Sequence, residues 1–214
     1  MYAGPSNFIE SVDGTFLFVL IVSVFFLVLI TALMIFFVIK YNRKRNPKAV
    51  NVHSNLALEI TWTVIPTILV LIMFWYGWVA YLDMADAPAD SLKVDVTAQM
   101  WKWSFKYENG TTTDTLYVPV NKPVKLNLHS LDVNHALFIP AFRVKKDVLP
   151  GQDRFVWFES NEPGSYDIAC AEYCGLNHSY MYSKVIVLPE NEFKVWSDTV
   201  GKSAITDSIS VSNK

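Results

Sequence analysis

Residues 16–39 form an apolar run of 24 residues without a charge. A bilayer core takes about 20 residues of helix, so the run predicts a transmembrane helix with some tilt. Its length, and the acidic segment before it (Glu10, Asp13), argue against the short apolar stretch of a signal peptide. A second uncharged run covers residues 60–82, with Pro66 in its first third, where a membrane helix is expected to kink or loosen. Trp75, Tyr76, Trp78 and Tyr81 cluster toward the far end of this run, as in an aromatic belt at a membrane surface. Beyond residue 85 the pattern changes to short alternating segments punctuated by Gly, Pro and Asn. Strands are expected at 92–98, 101–107, 115–118, 124–129, 136–140, 154–159, 165–169 and 180–188, making an all-β sandwich or barrel. A β domain of about 110 residues can bury a core of its own. Pro189 opens a short terminal helix over residues 189–200, with Phe193 and Trp196 on one face. The polar residues after it predict a flexible tail.

Composition sharpens the division. At 52% hydrophobic and 18% charged residues, the chain is too apolar for an ordinary soluble protein, and the excess lies in the two runs. Between the runs stand Lys40, Arg43, Lys44, Arg45 and Lys48, opposed only by Glu59, whereas the opening segment has no basic residue. The positive-inside rule then places the connection in the cytoplasm and both termini outside. The expected organisation is an extracytoplasmic segment 1–15, a transmembrane hairpin 16–82 with a basic loop 40–59, a linker 83–90, a β domain 91–200 and a tail 201–214.

The candidate chemistry is concentrated in CAEYCGLNHSYM, residues 170–181, which holds both cysteines of the chain, His178 and Met181. Thiol, imidazole and thioether are a soft donor set that favours copper over oxygen-loving ions. Gly175 and Asn177 are turn formers that let the loop fold back on itself, and His135 is a further donor upstream. Three other readings stand beside this one. Two extracytoplasmic cysteines commonly form a disulfide, but that leaves His178 and Met181 without a reason. Zinc held by two Cys and two His has no use for a thioether. A mononuclear blue copper site uses one cysteine, so a second thiolate is surplus and suggests two metals sharing bridging thiolates.

The loop and the upstream HALFIPAFRVKKDVLPG resemble subunit II of the haem-copper respiratory oxidases, specifically the cytochrome c oxidases that carry the dinuclear copper A centre. The resemblance runs from about residue 13 to residue 196 and sharpens the fold to a membrane α-helical hairpin plus an all-β Greek-key cupredoxin domain. It implies that Cys170 and Cys174 bridge two coppers, with His135 and His178 each supplying a nitrogen, Met181 a thioether and Glu172 a backbone carbonyl. The Glu172 carboxylate would in addition reach a magnesium or manganese ion shared with subunit I. Implied partners are the haem-bearing subunit I, subunit III, cytochrome c as electron donor and the lipid bilayer, with no nucleic acid. The implied location is the inner (plasma) membrane, with the β domain on the periplasmic or intermembrane side. A copper-A-bearing nitric oxide reductase subunit and a copper-free quinol oxidase subunit II are the alternatives. The sequence has no CxxCH haem motif, so a fused cytochrome c domain is not expected.

Trp101, Trp103, Phe105 and Tyr107 occupy every second position, which puts all four on one face of a strand, the usual pattern of core. The family places its electron-accepting tryptophan where Trp101 stands, so the strand is expected to begin irregularly and turn Trp101 outward. Met100 and Lys102 depart from the usual residues beside it. Glu59, near Trp62 and Pro66 at the cytoplasmic mouth of the second helix, matches the family's K proton pathway entrance. Residues 83–200 carry 16 acidic and 11 basic side chains, an imbalance expected to steer a basic cytochrome, with Asp132, Glu108 and Asp114 as docking carboxylates. His53 and His129 match no ligand position. Arg143 stands where the family commonly has glycine.

Overall fold

A computed structural model describes residues 4–48, 50 and 53–211, with side chains described as far as residue 200. Residues 1–3, 49, 51–52 and 212–214, parts of the expected N-terminal segment, loop and tail, lie outside the described residues. The chain forms two compact units, one over Ser11–Asp83 and one combining Met1–Glu10 with Met84–Lys214.

The first unit is a pair of helices, α1 (Ile9–Lys40) and α2 (Leu56–Ala85). Both outrun their apolar stretches. Helix α1 takes Glu10 into its first turn, where an acid complements the helix dipole. Asn55 caps α2: the Leu58 amide donates to its Oδ1 at 3.2 Å and the Glu59 amide to its carbonyl at 3.0 Å. Helix α2 continues unbroken through Pro66, and the Thr67 hydroxyl donates to the Thr63 carbonyl at 2.6 Å. The 32 and 30 residues reach about 45–48 Å at 1.5 Å per residue, more than a hydrocarbon core of roughly 30 Å. Large apolar side chains such as Phe16, Phe25, Leu71 and Trp75 are more than half exposed along them, a surface that requires an apolar surrounding.

The second unit is a β-sandwich. Its strands are β1 (Leu92–Gln99), β2 (Lys102–Tyr107), β3 (Thr112–Thr113), β4 (Leu116–Pro119), β5 (Pro123–Ser130), β6 (His135–Ile139), β7 (Val144–Val148), β8 (Arg154–Glu159), β9 (Gly164–Cys170) and β10 (Tyr182–Leu188). One sheet has the order β3-β2-β1-β5-β8 and the other β4-β10-β9-β6-β7. Alternation built the core as expected: Val94, Val96 and Ala98 of β1 sit beside Leu126, Leu128 and Ser130 of the parallel β5. Of these, Val94, Val96, Ala98, Leu126 and Leu128 are fully buried. Trp103, Phe105 and Tyr107 of β2 join them, and Ile168, Val185 and Val187 face them from the other sheet. Each fully buried Val or Leu contributes about 1.5–3 kcal/mol.

Several boundaries differ from expectation. Strand β2 starts at Lys102, because Trp101 sits in the turn before it. Strand β10 starts at Tyr182, because His178–Tyr180 is a turn of 3-10 helix. The short β3 and the edge strand β7 were not foreseen; β7 reads VKKDV, too charged to show alternation. The terminal helix α3 (Glu190–Val211) runs on through residues expected to be a tail.

The N-terminal segment is stitched to the β unit. The Asn7 amide donates to the Glu159 carbonyl at 3.1 Å, the Glu159 amide to Asn7 Oδ1 at 3.0 Å, and the Asn161 amide to the Pro5 carbonyl at 3.2 Å. Phe8 is buried edge-on against Trp157, with ring centroids 4.8 Å apart. This strap pairs with the last residue of edge strand β8, Glu159, and with the turn after it.

Tyr107 joins the two sheets. Its hydroxyl donates to the Tyr117 carbonyl at 2.9 Å and accepts from the Tyr117 amide at 2.6 Å. Trp196 of α3 closes the outside, stacked on Tyr117 at 4.6 Å and edge-on to Tyr107 at 5.0 Å. Burial raises the Tyr107 phenol well above its ordinary value of 10.0, against the pull of its bond with the Tyr117 backbone. Tyr107→Phe leaves both Tyr117 backbone groups unpaired and is expected to cost about 1–3 kcal/mol of stability. Because the folded pKa is raised, the tyrosine's contribution is complete below pH 10 and is lost as pH rises toward the folded value. Denaturant midpoints of the full chain in detergent, measured below and above pH 10, check both: the wild type weakens on the alkaline side, and the Phe variant starts weaker and weakens less.

Candidate metal centre

Strands β6 and β9 pair antiparallel with Leu137 opposite Cys170, which sets His135 near the end of β9. The Ala171 amide donates to the Ala136 carbonyl at 3.0 Å and extends that pairing into the loop. The loop then returns: the Cys170 amide donates to the Met181 carbonyl at 3.1 Å, so the loop's first and last residues are held together. Within it, Gly175 adopts φ +118°, a conformation open to glycine, and its carbonyl accepts from the His178 amide at 3.1 Å.

These constraints converge six donors. Cys170 Sγ and Cys174 Sγ lie 3.8 Å apart, nearly twice the length of a disulfide bond, and both thiols are free and buried. An imidazole nitrogen faces each sulfur: His135 Nδ1 is 3.8 Å from Cys170 Sγ and His178 Nδ1 is 3.5 Å from Cys174 Sγ. Two weaker donors complete the set, with the Glu172 carbonyl 3.3 Å from Cys170 Sγ and Met181 Sδ 3.8 Å from Cys174 Sγ. His135 and Met181 are fully buried. Burial, and then the neighbouring Cys170, push the Cys174 thiol up to about 11. Metal binding must therefore displace protons.

The donors fit a soft metal, since no side-chain carboxylate is among them. A single tetrahedral ion takes four, leaving two over. Six donors arranged as a thiol pair, each flanked by one imidazole and one weak donor, are a set that copper would accept.

The surrounding residues fall into three groups. Asp132, expected as a docking carboxylate, bonds to the site itself: its Oδ1 is 2.8 Å from His135 Nε2 and its Oδ2 accepts from the Met100 amide at 2.7 Å. Burial works against its charge, but the bonds from Met100, His135 and Val133 hold its carboxyl below the ordinary range. The spacing DxxH was visible in the sequence but carried no sign of which way the carboxylate faces. Trp101 is half-buried over the loop, its indole 3.4 Å from the place a Cβ on Gly175 would take. The buried tryptophan beside the site is Trp103, whose ring centroid lies 6.2 Å from that of His135, a neighbour that alternation alone did not reveal.

The Glu172 side chain points away from the thiols, to Lys145 Nζ at 2.7 Å, and Lys145 also meets Asp147 at 3.2 Å. The hydrogen bond to Glu172 raises the lysine's pKa. Glu172 thus already faces a cation. Glu59 is not part of this cluster. It lies in the first turn of α2, in the helical unit. His129, as expected, is no donor here: it pairs with Asp153 at 3.1 Å near the surface.

Two family models match the chain: cytochrome C oxidase subunit II, transmembrane domain, over residues 1–77, and cytochrome C oxidase subunit II, periplasmic domain, over residues 67–188. Cytochrome c oxidase subunit 2 of Alkalihalophilus pseudofirmus is 38% identical over 190 residues, covering 83% of this chain and 56% of that protein. The chain thus spans little more than half the length of this relative. The alternative cytochrome c oxidase subunit 2 of Bradyrhizobium diazoefficiens is 30% identical over 76% of this chain and 70% of its own length. Among solved structures, the periplasmic domain of subunit II of cytochrome oxidase from Bradyrhizobium japonicum superposes with a TM-score of 0.53. It is 30% identical and covers 55% of this chain and 99% of its own. Two apolar helices of spanning length, a β-sandwich holding a soft donor cluster and both family matches lead to one assignment: this membrane protein belongs to the cytochrome c oxidase subunit II family.

Proposed function

We propose that this chain is the electron-accepting subunit of a cytochrome c oxidase. In this reading it takes electrons from cytochrome c at a dinuclear copper centre and passes them to the haems of subunit I, where oxygen is reduced to water and protons are pumped. The observation that carries the reading is the pair of free, buried thiols 3.8 Å apart, each faced by its own imidazole. Cys170 and Cys174 would hold the ions jointly, His135 and His178 one each, with Met181 and the Glu172 carbonyl as weak donors.

When bound, the copper pair supplies one-electron redox chemistry. The chain's part is to keep the donors fixed, so that little rearranges when an electron arrives, and to exclude water from them. Strand pairing does the first, through the β6–β9 register and the Cys170–Met181 backbone bond. Burial of His135, Met181 and Cys174 does the second. Trp101, half-exposed over Gly175, would receive the electron. Glu172, held by Lys145, is the side chain through which a magnesium or manganese ion would be shared with subunit I.

The positive-inside rule supports a cytoplasmic position for the basic loop, with the β domain on the periplasmic or intermembrane side of the inner (plasma) membrane. The strap supports the same reading, since Asn7 and Glu159 bond directly and so lie on one side. Subunit I, and with it subunit III, would surround α1 and α2. Glu59 would then open the K proton pathway at the cytoplasmic mouth of α2.

Two measurements test these assignments. Copper analysis of the full chain should give two ions per chain and a delocalised mixed-valence EPR signal, and Cys174→Ser should lose that signal. One ion per chain with an unchanged spectrum in the serine variant would refute the dinuclear reading. In the assembled oxidase, Glu59→Gln should slow proton-coupled haem reduction while leaving copper content intact. Loss of copper in that variant would mark Glu59 as structural instead.

A further inference from the structure

Asp132 makes hydrogen bonds to two parts of the chain that lie far apart in sequence. Oδ1 meets His135 Nε2 at 2.8 Å and also accepts from the Val133 amide at 2.7 Å; Oδ2 accepts from the Met100 amide at 2.7 Å. Met100 precedes Trp101 in the turn between β1 and β2, and His135 opens β6, so one carboxylate ties the tryptophan's turn to a member of the donor cluster. A second link lies nearby: the Leu131 amide donates to the Ala98 carbonyl at 3.0 Å, bringing the loop before His135 against the end of β1.

The chemistry at His135 follows from the acceptor. A carboxylate 2.8 Å from Nε2 takes a hydrogen bond from that nitrogen, and the neutral imidazole then keeps its lone pair on Nδ1, which faces Cys170 Sγ at 3.8 Å. His135 is fully buried, so water does not compete for either nitrogen. An imidazole bonded in this way to a carboxylate is also a stronger donor.

We propose, building on the copper reading above, that Asp132 is a positioning residue acting at two places at once, fixing His135 as the Nε2–H tautomer and clamping the Met100–Trp101 turn over the donor cluster. Neither carboxylate oxygen is spare. An amide offers one acceptor oxygen and a donor, so Asp132→Asn can serve Met100 or His135 but not both, whereas Asp132→Ala serves neither.

The first test needs no metal. In the full chain in detergent, nitrogen NMR of the histidines should show His135 as the Nε2–H tautomer, and Asp132→Ala should remove that preference. Hydrogen exchange at the Met100 amide should quicken about tenfold in the same variant, the factor expected for the loss of one hydrogen bond. Asp132→Asn should disturb one of the two readouts and spare the other. The second test uses copper. Asp132→Ala should bind copper about 10- to 100-fold more weakly and shift the reduction potential upward, since a weaker imidazole donor favours the reduced ions. Asp153→Ala is the control, because it removes the exposed His129–Asp153 pair of the same chemistry and should change none of these quantities.

An unchanged His135 tautomer and Met100 exchange in both Asp132 variants overturns the proposal. So does a potential that shifts equally in the Asp153 control. If Asp132→Ala fails to fold, the Asn variant decides, because a merely structural loss would move both readouts together. Failure of the wild type to take up two coppers would count against the copper reading alone, leaving the metal-free readouts to judge Asp132.

Discussion

The antiparallel pairing of β6 with β9 is the constraint on which the donor cluster depends. His135 and Cys170 are 35 residues apart in the chain and meet because Leu137 lies opposite Cys170 in that register. A slip of one residue would turn His135 to the other face of the sheet and leave the thiols without one of their imidazoles. The register is held by burial, since Ala136, Leu137 and Ile139 of β6 and Ile168 of β9 are all inaccessible to solvent. Packing of the apolar core thereby sets the precision of the polar site, and the loop needs only the Cys170–Met181 closure to complete it.

How far the fold was legible depended on the range of the interaction. The two helices, the alternating strands and the CxxxCxxxH spacing with Met181 are local patterns, and each could be read directly. Local patterning failed where a contact crossed the chain. Edge strand β7 carries Lys145, Lys146 and Asp147 and has no apolar alternation to announce it, yet it pairs with β6 along five residues. Asp132 looked like any surface carboxylate until its partners, Met100 and His135, were brought in from two other segments. The aromatic repeat of β2 was half informative. It placed Trp103, Phe105 and Tyr107 inside, but that Trp101 leaves the strand is decided by the turn at Met100.

Charge is distributed unevenly around the donor cluster. The side chains bordering it on the open side are apolar or aromatic: Tyr173 and Leu176 of the loop are more than 80% exposed, and Met100, Leu131 and Val133 are exposed beside them. The nearest carboxylates are committed to partners, Asp132 to His135 and Glu172 to Lys145.

The strap at the N-terminus has a consequence for the order of assembly. Pro5 and Asn7 bond to the backbone groups of Glu159 and Asn161, some 150 residues further along the chain. The strap therefore cannot be fastened until β8 has been made. Its closure joins the two stretches of the β unit that lie on either side of α1 and α2 in the sequence.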